Sequence, residues 1–128
     1  MIIRTLDEIE GTERDVSWGN GKSRRFLIER DGMGYSMTDT QIAPNTCSVL
    51  EYRNHLETCY CVEGSGKVVD ESTGAEHEIT AGTMYALDRH DRHQLIGGEN
   101  GMRLVCMFTP ALRGDEVHDL NGDASSSY

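Results

Sequence analysis

Short alternating segments separated by glycine-containing turns are the feature that most limits how this chain can fold. Fourteen of the 128 residues are glycine. Apolar and polar side chains alternate between the turns, which is typical of strands with one buried face, and no segment keeps a helical repeat long enough to build a helical layer. The predicted strands are Ser23–Arg30, Tyr35–Ile42, Thr46–Tyr52, Glu57–Glu63, Gly66–Asp70, Ala75–Ile79, Thr83–Leu87, His93–Ile96 and Met102–Phe108.

The segments between these strands complete the predicted fold. Turns are predicted at Asp31-Gly32, Gly64-Ser65-Gly66, Ser72-Thr73-Gly74 and Gly97–Gly101. Thr5 and Glu8 have the spacing of a capping box, which predicts a short helix over residues 5–10. We therefore expect an all-β fold, either a small closed antiparallel barrel or a jelly roll, preceded by a short N-terminal helix. Residues 1–128 form one predicted domain, and the polar residues 119–128 are expected to be a flexible tail.

Charge and cysteine content limit which binding partners and which cellular compartment we expect. The formal net charge is −10 and the pI about 4.8, so binding to a nucleic acid backbone is not expected. No apolar run approaches the roughly 20 residues of a membrane span, and the first residues do not have the pattern of a secretory signal. We expect a cytoplasmic protein, in which the four cysteines are reduced and mostly buried.

Two segments of the sequence, here called blocks, contain the candidate functional residues. Glu57 precedes the turn residue Gly64 by six intervening residues, and Gly82 enters a strand three residues before Tyr85. The blocks resemble the two signature motifs of the cupin superfamily, E-x6-G and G-x2-H. The usual His-x-His pair is absent from residues 50–55, and Tyr85 stands where the second motif has histidine. A standard cupin site with three histidines and one glutamate is therefore excluded.

A different metal site remains possible with the residues that are present. Glu57, Tyr85 and His93, which follows in a charged loop, would offer two oxygen ligands and one nitrogen ligand. An oxygen-rich site with open positions suits iron(II) better than a closed zinc site. From spacing alone, a core or half-buried tyrosine and a solvated glutamate beside a turn are the more usual interpretation.

A longer resemblance covers nearly the whole chain in order. The phrases that carry it are Thr12–Val16, Ser23–Arg25, Asp31–Gly34, Tyr52–Glu57, Gly82–Asp88, His90–His93, Met102–Cys106 and Glu116–Asp119. By these phrases the chain resembles the ectoine synthase family, and the block from Tyr85 to His93 is far more specific than a general cupin motif. The resemblance implies a cupin barrel, a homodimer and bound Fe(2+). It also implies closure of N-γ-acetyl-L-2,4-diaminobutyrate, a small-molecule substrate, into the compatible solute ectoine with loss of water.

The resemblance also assigns roles to residues. The family's metal ligands fall on Glu57, Tyr85 and His93, the three residues that the spacing had suggested. Its substrate pocket falls on Arg24, Arg25, Thr40, Tyr52, Phe108, Glu116 and His118. Arg25 would hold the substrate carboxylate by bidentate hydrogen bonds. Glu116 and His118 would transfer protons, with Tyr52 as an alternative donor. Cys106 lies between Leu104 and Phe108 on one predicted strand face and would form a wall of the pocket.

Several positions depart from the family pattern. Gly21 stands where the family has tryptophan, and Trp18 lies three residues earlier, so either a shifted loop restores the indole or the pocket lacks that wall. The other departures are Glu51, Asn54, Thr109 and Asp115. Two other functions remain open: a cupin metal-dependent oxygenase or isomerase, and a cupin that binds a small ligand without reacting it.

Overall fold

The computed structural model describes residues 1–120 and 128. Its secondary structure is almost entirely antiparallel strand. In chain order the elements are α1 (Leu6–Ile9), β1 (Asp15–Ser17), β2 (Gly21–Leu27), a single 3-10 turn (Glu29–Asp31), β3 (Ser36–Ile42), β4 (Cys47–Leu50), β5 (Leu56–Asp70), β6 (Glu76–Thr80), β7 (Met84–Leu87) and β8 (His93–Thr109). In this part of the chain, no helix has the length and apolar character that a membrane span requires.

Hydrogen bonding arranges the strands in two sheets that share β5 and β8. The first sheet has the order β7-β5-β8-β3-β2-β1 and uses the first half of β5 and the second half of β8. The second sheet has the order β6-β5-β8-β4 and uses the second half of β5 and the first half of β8. The hydrogen-bonded path ends at β1 and β6. The fold is therefore an open-edged jelly roll, one of the two predicted forms.

β5 and β8 bend from one sheet into the other at glycines. The register of β5 against β8 shifts between Gly64 and Gly66. A Cβ atom added to Gly64 would lie 2.0 Å from the carbonyl oxygen of Gly101, and both glycines have positive φ, 79° and 70°. The turns predicted at 64–66 and 97–101 are therefore wrong, because the strands continue through them. These glycines permit close contact between two backbones instead of reversing the chain.

The N-terminal part follows its local signals. Thr5 and Glu8 form the predicted capping box, in which each side chain accepts a hydrogen bond from the other's backbone, at 3.4 and 3.2 Å. The strand predicted over Ser23–Arg30 ends earlier, at Leu27. Asp31 ends it by accepting a hydrogen bond from the Ile28 amide at 2.9 Å, which stabilises the 3-10 turn.

Asp31 also joins this turn to the beginning of the chain. Arg4 and Arg14 donate to its carboxylate at 2.8 and 3.0 Å, and the carboxylate side chain is only 7% exposed. Burial by itself raises the pKa of Asp31, but hydrogen bonds from Arg14, the Ile28 amide and Arg4 outweigh it and hold the pKa well below its usual value.

The hydrophobic core lies between the two sheets. Strand β5 turns Cys59 and Cys61 inward, and β8 turns Leu104, Cys106 and Phe108 inward, each less than 5% exposed. Three of the four cysteines are buried, as predicted, and Cys47 is exposed. The predicted flexible tail falls mostly outside the described residues, because 121–127 are not described. Tyr128 is described and is buried in the core.

Candidate functional site

A small cavity lies inside the jelly roll, between the bent halves of β5 and β8. Its volume is about 20 Å³, enough for about one water molecule. Seven of the residues selected from the sequence line it: Thr40, Tyr52, Glu57, Tyr85, Cys106, Phe108 and His118. Trp18, Cys59 and Tyr128 also contribute to its wall. The structure thus brings most of the predicted pocket to one enclosed space.

Glu57 is the carboxylate of this cavity. It lies on the inward face of β5, opposite Phe108 of β8, and is 6% exposed. Burial raises the pKa of Glu57 to about 7, although hydrogen bonds from the Cys59 and Cys106 thiols and the Tyr52 hydroxyl act in the opposite direction. A buried carboxylate without a cationic partner favours binding of a cation.

His93 begins β8 and is held in one tautomer. Its Nδ1 donates to the Asp91 carbonyl oxygen at 2.9 Å, and burial lowers the pKa of the imidazole. The Nε2 atom is therefore left with a lone pair. It is buried and has no hydrogen-bond partner among the described residues. Such an orientation, with Nδ1–H on a carbonyl and Nε2 available, is that of a histidine metal ligand.

Tyr85 shares a pocket with each of the other two predicted ligands. It is half-buried on β7 and lines both the cavity with Glu57 and a neighbouring pocket with His93. Burial, followed by the nearby Cys59 and Glu57, raises the pKa of Tyr85 well above its usual value. A carboxylate, a phenol and an available imidazole nitrogen meet the oxygen-rich chemistry that iron(II) requires, so these donors fit the expected metal.

Arg25 is a buried cation beside the cavity. One of its terminal nitrogens donates to the Glu116 carbonyl oxygen and, at 2.7 Å, to the Tyr128 hydroxyl. The other terminal nitrogen, Nη1, is 3.8 Å from the Glu116 carboxylate and has no hydrogen-bond partner in the described structure. A guanidinium with an unused N–H group can receive an anionic ligand.

Glu116 is held as an anion next to Arg25. Burial by itself raises the pKa of Glu116, but the backbone N–H groups of Gly114 and Arg113 and the charge of Arg25 lower it overall. Both amides donate to the carboxylate at 2.9 Å, and His55 Nε2 lies 3.7 Å away. Glu116 is not one of the residues that line the cavity. Its contacts therefore orient Arg25, and its side chain does not face the space where a ligand would bind.

Arg24 points to a different region. It donates to the Asp39 carboxylate at 2.5 Å and lies 3.7 Å from Glu10. Arg103 also donates to Asp39, at 2.6 Å. Neither arginine lines the cavity, but Arg25 donates to its lining residue Tyr128, whereas Arg24 is paired with Asp39 and Glu10.

Trp18 and His118 form one side of the cavity. The two rings meet edge to face, with centroids 4.5 Å apart. A Cβ on Gly21 would lie 2.9 Å from the Trp18 ring and 2.0 Å from the Gln41 carbonyl oxygen. Trp18 therefore restores the indole wall, and glycine at 21 leaves room for it. Of the departures, Asp115 is exposed and Glu51 is half-buried, and both pair with arginines.

The protonation of His118 follows from its burial. Burial, with smaller contributions from Arg25 and His93, lowers the pKa of His118 to about 3. The imidazole is therefore neutral near pH 7, and the same burial makes it a weak base. Its Nδ1 and the Nε1 of Trp18 are both buried without a hydrogen-bond partner among residues 1–120 and 128.

Tyr128 also lies at this cavity, and the sequence did not predict it there. It is 1% exposed, and its ring packs against those of Tyr52 and Phe108 at 5.1 and 5.3 Å. Its backbone carbonyl accepts a hydrogen bond from the Asn54 amide at 3.2 Å. No local pattern could reveal this residue, because its partners are far away in sequence. The predicted ligand pocket is closed by this side chain.

Comparisons with known proteins show the family of this chain. The family model described as ectoine synthase matches residues 1–127. The chain is 51% identical to the L-ectoine synthase of Sporosarcina pasteurii over 122 residues, covering 95% of this chain and 91% of that protein. It is 49% identical to the L-ectoine synthase of Desulfosudis oleivorans over 122 residues, covering 95% of each chain.

Solved structures give the same result. The crystal structure of ectoine synthase from P. lautus superposes with a TM-score of 0.85 and 43% identity, covering 89% of this chain and 81% of that one. The polyketide cyclase RemF from Streptomyces resistomycificus has a TM-score of 0.69 at 18% identity, covering 86% of this chain and 80% of that chain, and shows only the shared fold. The chain is therefore an enzyme of the ectoine synthase family, a cyclising hydro-lyase.

Proposed function

We propose that this chain closes N-γ-acetyl-L-2,4-diaminobutyrate into ectoine, with iron(II) held by Glu57, Tyr85 and His93. One observation carries the proposal: four buried nitrogen atoms have no hydrogen-bond partner in the described structure, two of them in residues that line the cavity and two in residues that contact its walls, Tyr128 and Tyr52. They belong to Trp18, Arg25, His93 and His118. Buried donors and acceptors are normally satisfied, so this concentration indicates a polar ligand, and family membership indicates which one.

The reaction forms one bond and breaks another within the same molecule. The substrate's α-nitrogen attacks the carbon of its own acetamide group. The C–N bond forms, the C–O bond breaks, and the oxygen leaves as water. Three conditions must be met: the carboxylate must be held, the ammonium must lose a proton, and the chain must be bent into a ring.

Arg25 meets the first condition. Its Nη1 has no hydrogen-bond partner among the described residues, and a second terminal nitrogen becomes available when the Tyr128 hydroxyl leaves. Together they offer the two parallel N–H groups that a carboxylate binds best. Glu116 holds the guanidinium in this orientation through its carboxylate and its carbonyl oxygen. In this proposal Glu116 is a positioning residue, whereas the sequence hypothesis had given it a share of the proton transfer.

His118 and Tyr52 meet the second condition. The substrate ammonium can donate a hydrogen bond to the neutral imidazole of His118 at Nδ1, which lacks a partner in the described part of the chain. The low pKa of His118 means that this imidazole relays the proton and does not keep it. The Tyr52 hydroxyl, which donates to Glu57, can supply a proton to the departing oxygen. Iron bound at Glu57, Tyr85 and His93 would act as a Lewis acid that polarises the amide oxygen.

The aromatic walls meet the third condition. Trp18, Tyr52 and Phe108 surround the cavity on three sides. In a space of this size the substrate can bind only when Tyr128 withdraws, and the remaining walls favour a folded over an extended chain. When substrate fills this space, the same walls keep bulk water away from the ring that forms.

We also propose that the chain forms a homodimer through the outer face of its first sheet. Five apolar side chains on β5, β7 and β8 are at least 37% exposed there: Leu56, Tyr60, Val62, Met84 and Met107. Tyr60 is directly opposite Met84 in the register. A contiguous apolar patch of this kind is typical of an interaction surface, and a second copy of the same chain is the occupant that the family resemblance implies.

The decisive test is an anaerobic assay of iron(II)-loaded protein with N-γ-acetyl-L-2,4-diaminobutyrate, followed by proton NMR. We expect ectoine to form, and a chelator to suppress its formation. Oxygen consumption with a candidate substrate would favour a cupin oxygenase instead. Binding of the substrate without turnover by folded, iron-bearing protein would favour a ligand-binding cupin. Either result would overturn the proposal.

A further inference from the structure

Two cysteines face each other inside the jelly roll. Cys59 of β5 and Cys106 of β8 are directly opposite in the strand register, and their sulfur atoms lie 3.3 Å apart. They are 1% and 2% exposed. The proposed reaction needs neither thiol as a reacting group, so this buried pair calls for a separate explanation.

Glu57 completes a group of three donors with this pair. It lies two residues before Cys59, and alternation along the strand therefore turns both side chains inward. A carboxylate oxygen of Glu57 and the two sulfur atoms all lie within 4.8 Å of one another. All three residues also line the cavity of about 20 Å³. The donors therefore surround a space instead of filling it.

The donor types select a class of cation. Two thiolates and one carboxylate suit a thiophilic divalent cation such as zinc or cadmium, which accepts four-coordinate sites with sulfur, nitrogen and oxygen ligands. The strands carry their side chains on a hydrogen-bonded ladder, so the donors are held close together before the ion arrives. This distinguishes the group from a chance cluster on a flexible loop.

We propose that Glu57, Cys59 and Cys106 form a binding site for a thiophilic divalent cation. The site differs from the proposed iron site in two of its three ligands and shares Glu57 with it. One carboxylate in this confined space cannot serve both ions in full, so zinc or cadmium at the thiolates displaces iron. The inference does not depend on the proposed function, because it uses only the placement of these three residues.

Cadmium is the probe that tests the site. The starting protein is Cys47→Ser, which removes the exposed thiol, kept reduced and metal-free under anaerobic conditions. On titration with cadmium we expect a near-ultraviolet sulfur-to-cadmium charge-transfer band that saturates at one ion per chain. Cys59→Ala in this background should lose the band and bind cadmium at least about 100-fold more weakly, since even groups that only support ligands contribute about 10–100-fold.

Cys61→Ala is the matched control. Cys61 is on the same strand and is also buried, but its thiol donates to the Glu63 carbonyl oxygen at 3.3 Å. The band should persist in this variant, and it should also persist in His93→Ala, which removes only an iron ligand. Cys106→Ser provides a second test of the pair if Cys59→Ala does not fold, as judged by circular dichroism.

Four outcomes would overturn the inference. They are the absence of a band in the folded starting protein, a band that Cys61→Ala removes, a band that Cys59→Ala and Cys106→Ser both leave intact, and a Cys59–Cys106 disulfide that persists under reducing conditions. A band that depends on His93 but not on the cysteines would place cadmium in the iron site. That result would contradict this inference and leave the proposed function standing.

Discussion

The ring of Tyr128 stacks on the ring of His118, with centroids 4.5 Å apart and planes inclined by 12°. The same tyrosine accepts a hydrogen bond from Arg25 and packs on Tyr52 and Phe108. It therefore contacts four of the residues that the proposed substrate would contact. In the proposed function, substrate and Tyr128 would compete for one space, and substrate binding would include the cost of displacing the tyrosine.

Removal of this side chain should lower KM. Burial of a side chain of this size contributes roughly 1.5–3 kcal/mol, and about 1.4 kcal/mol corresponds to a factor of ten. We expect Tyr128→Ala to lower KM about tenfold, whereas Tyr128→Phe, which keeps the ring, should lower it much less. Steady-state kinetics measures KM in both variants, and calorimetric titration measures their affinity for the substrate. A higher KM in Tyr128→Ala would mean that the tyrosine assists substrate binding.

Loss of a proposed metal ligand should remove iron without unfolding the barrel. His93→Ala and Tyr85→Phe should each bind iron(II) at least about 100-fold more weakly and lose turnover, because removal of even a supporting group costs about 10–100-fold. His77→Ala, at an exposed position on β6, is the matched control and should keep both. Metal analysis after gel filtration, with circular dichroism for folding, is the measurement. Normal iron content in either ligand variant would disprove the assignment of that ligand.

Two glycines with nearly equal backbone angles should differ in their tolerance of alanine. Gly64 and Gly74 have φ of 79° and 74°, so each substitution costs roughly 1–2 kcal/mol of backbone strain. Only at Gly64 does the new Cβ meet a backbone atom, 2.0 Å away, whereas at Gly74 nothing lies within 4 Å. Denaturant unfolding should show Gly64→Ala to be less stable than Gly74→Ala by at least about 2 kcal/mol. Equal stabilities would contradict the close contact between β5 and β8.

Protonation of Asp31 should account for part of the stability that the protein loses in acid. Its pKa is lower in the folded protein than in the unfolded chain, where an aspartate titrates near about 3.9. The stabilisation is therefore complete above about pH 4 and is lost as the pH falls further, through the lower pKa of the folded state. Asp31→Asn should cost about 2 kcal/mol near pH 7, a typical value for hydrogen bonds to a charged group.

The difference in melting temperature between parent and Asp31→Asn should shrink as the pH is lowered from 7 to about 2, where the unfolded aspartate is already protonated. Asp115→Asn is the control, since that side chain is 77% exposed and should not change the pH dependence. A difference that stays constant with pH would show that packing, not charge, makes Asp31 important.

The proposed dimer should depend on the apolar outer face of the first sheet. Met84 is 59% exposed on β7, and a lysine there would place an unpaired charge in a buried interface. We expect Met84→Lys to be monomeric by gel filtration with light scattering. Met33→Lys, at another exposed methionine (49%) outside this face, should remain dimeric. A monomeric parent would overturn the dimer itself.

Local signals in the sequence predicted most of the strands and the capped helix. The Thr5–Glu8 capping box is a short-range pattern and was confirmed, as was the burial of most of the cysteines. The glycines at 64–66 and 97–101 were misinterpreted, because glycine permits a tight turn and a close approach of two backbones equally well. Only the partner strand distinguishes these cases, and a single sequence does not show the partner.

The residues of the candidate site show the same difference between local signals and long-range contacts. Most of the predicted pocket residues line one cavity, because family motifs record which positions meet in space. The position of Arg24 beside Asp39, the facing sulfurs of Cys59 and Cys106, and the insertion of Tyr128 were not predicted. Each depends on a contact between residues far apart in the chain, and such contacts follow from register and packing rather than from local composition.

The continuity of β8 also limits how the chain can change in length. This strand carries His93 at its beginning and the pocket walls Cys106 and Phe108 near its end. An insertion of one residue between Leu104 and Phe108 would turn Phe108 to the outer face. The bend between them and His93 is different, because a five-residue step of β8, from Gly97 to Met102, lies opposite a two-residue step of β5, from Gly66 to Gly64. Strict alternation is already interrupted at that bend, so the chain can change in length there without turning either the proposed metal ligand or the pocket wall outward.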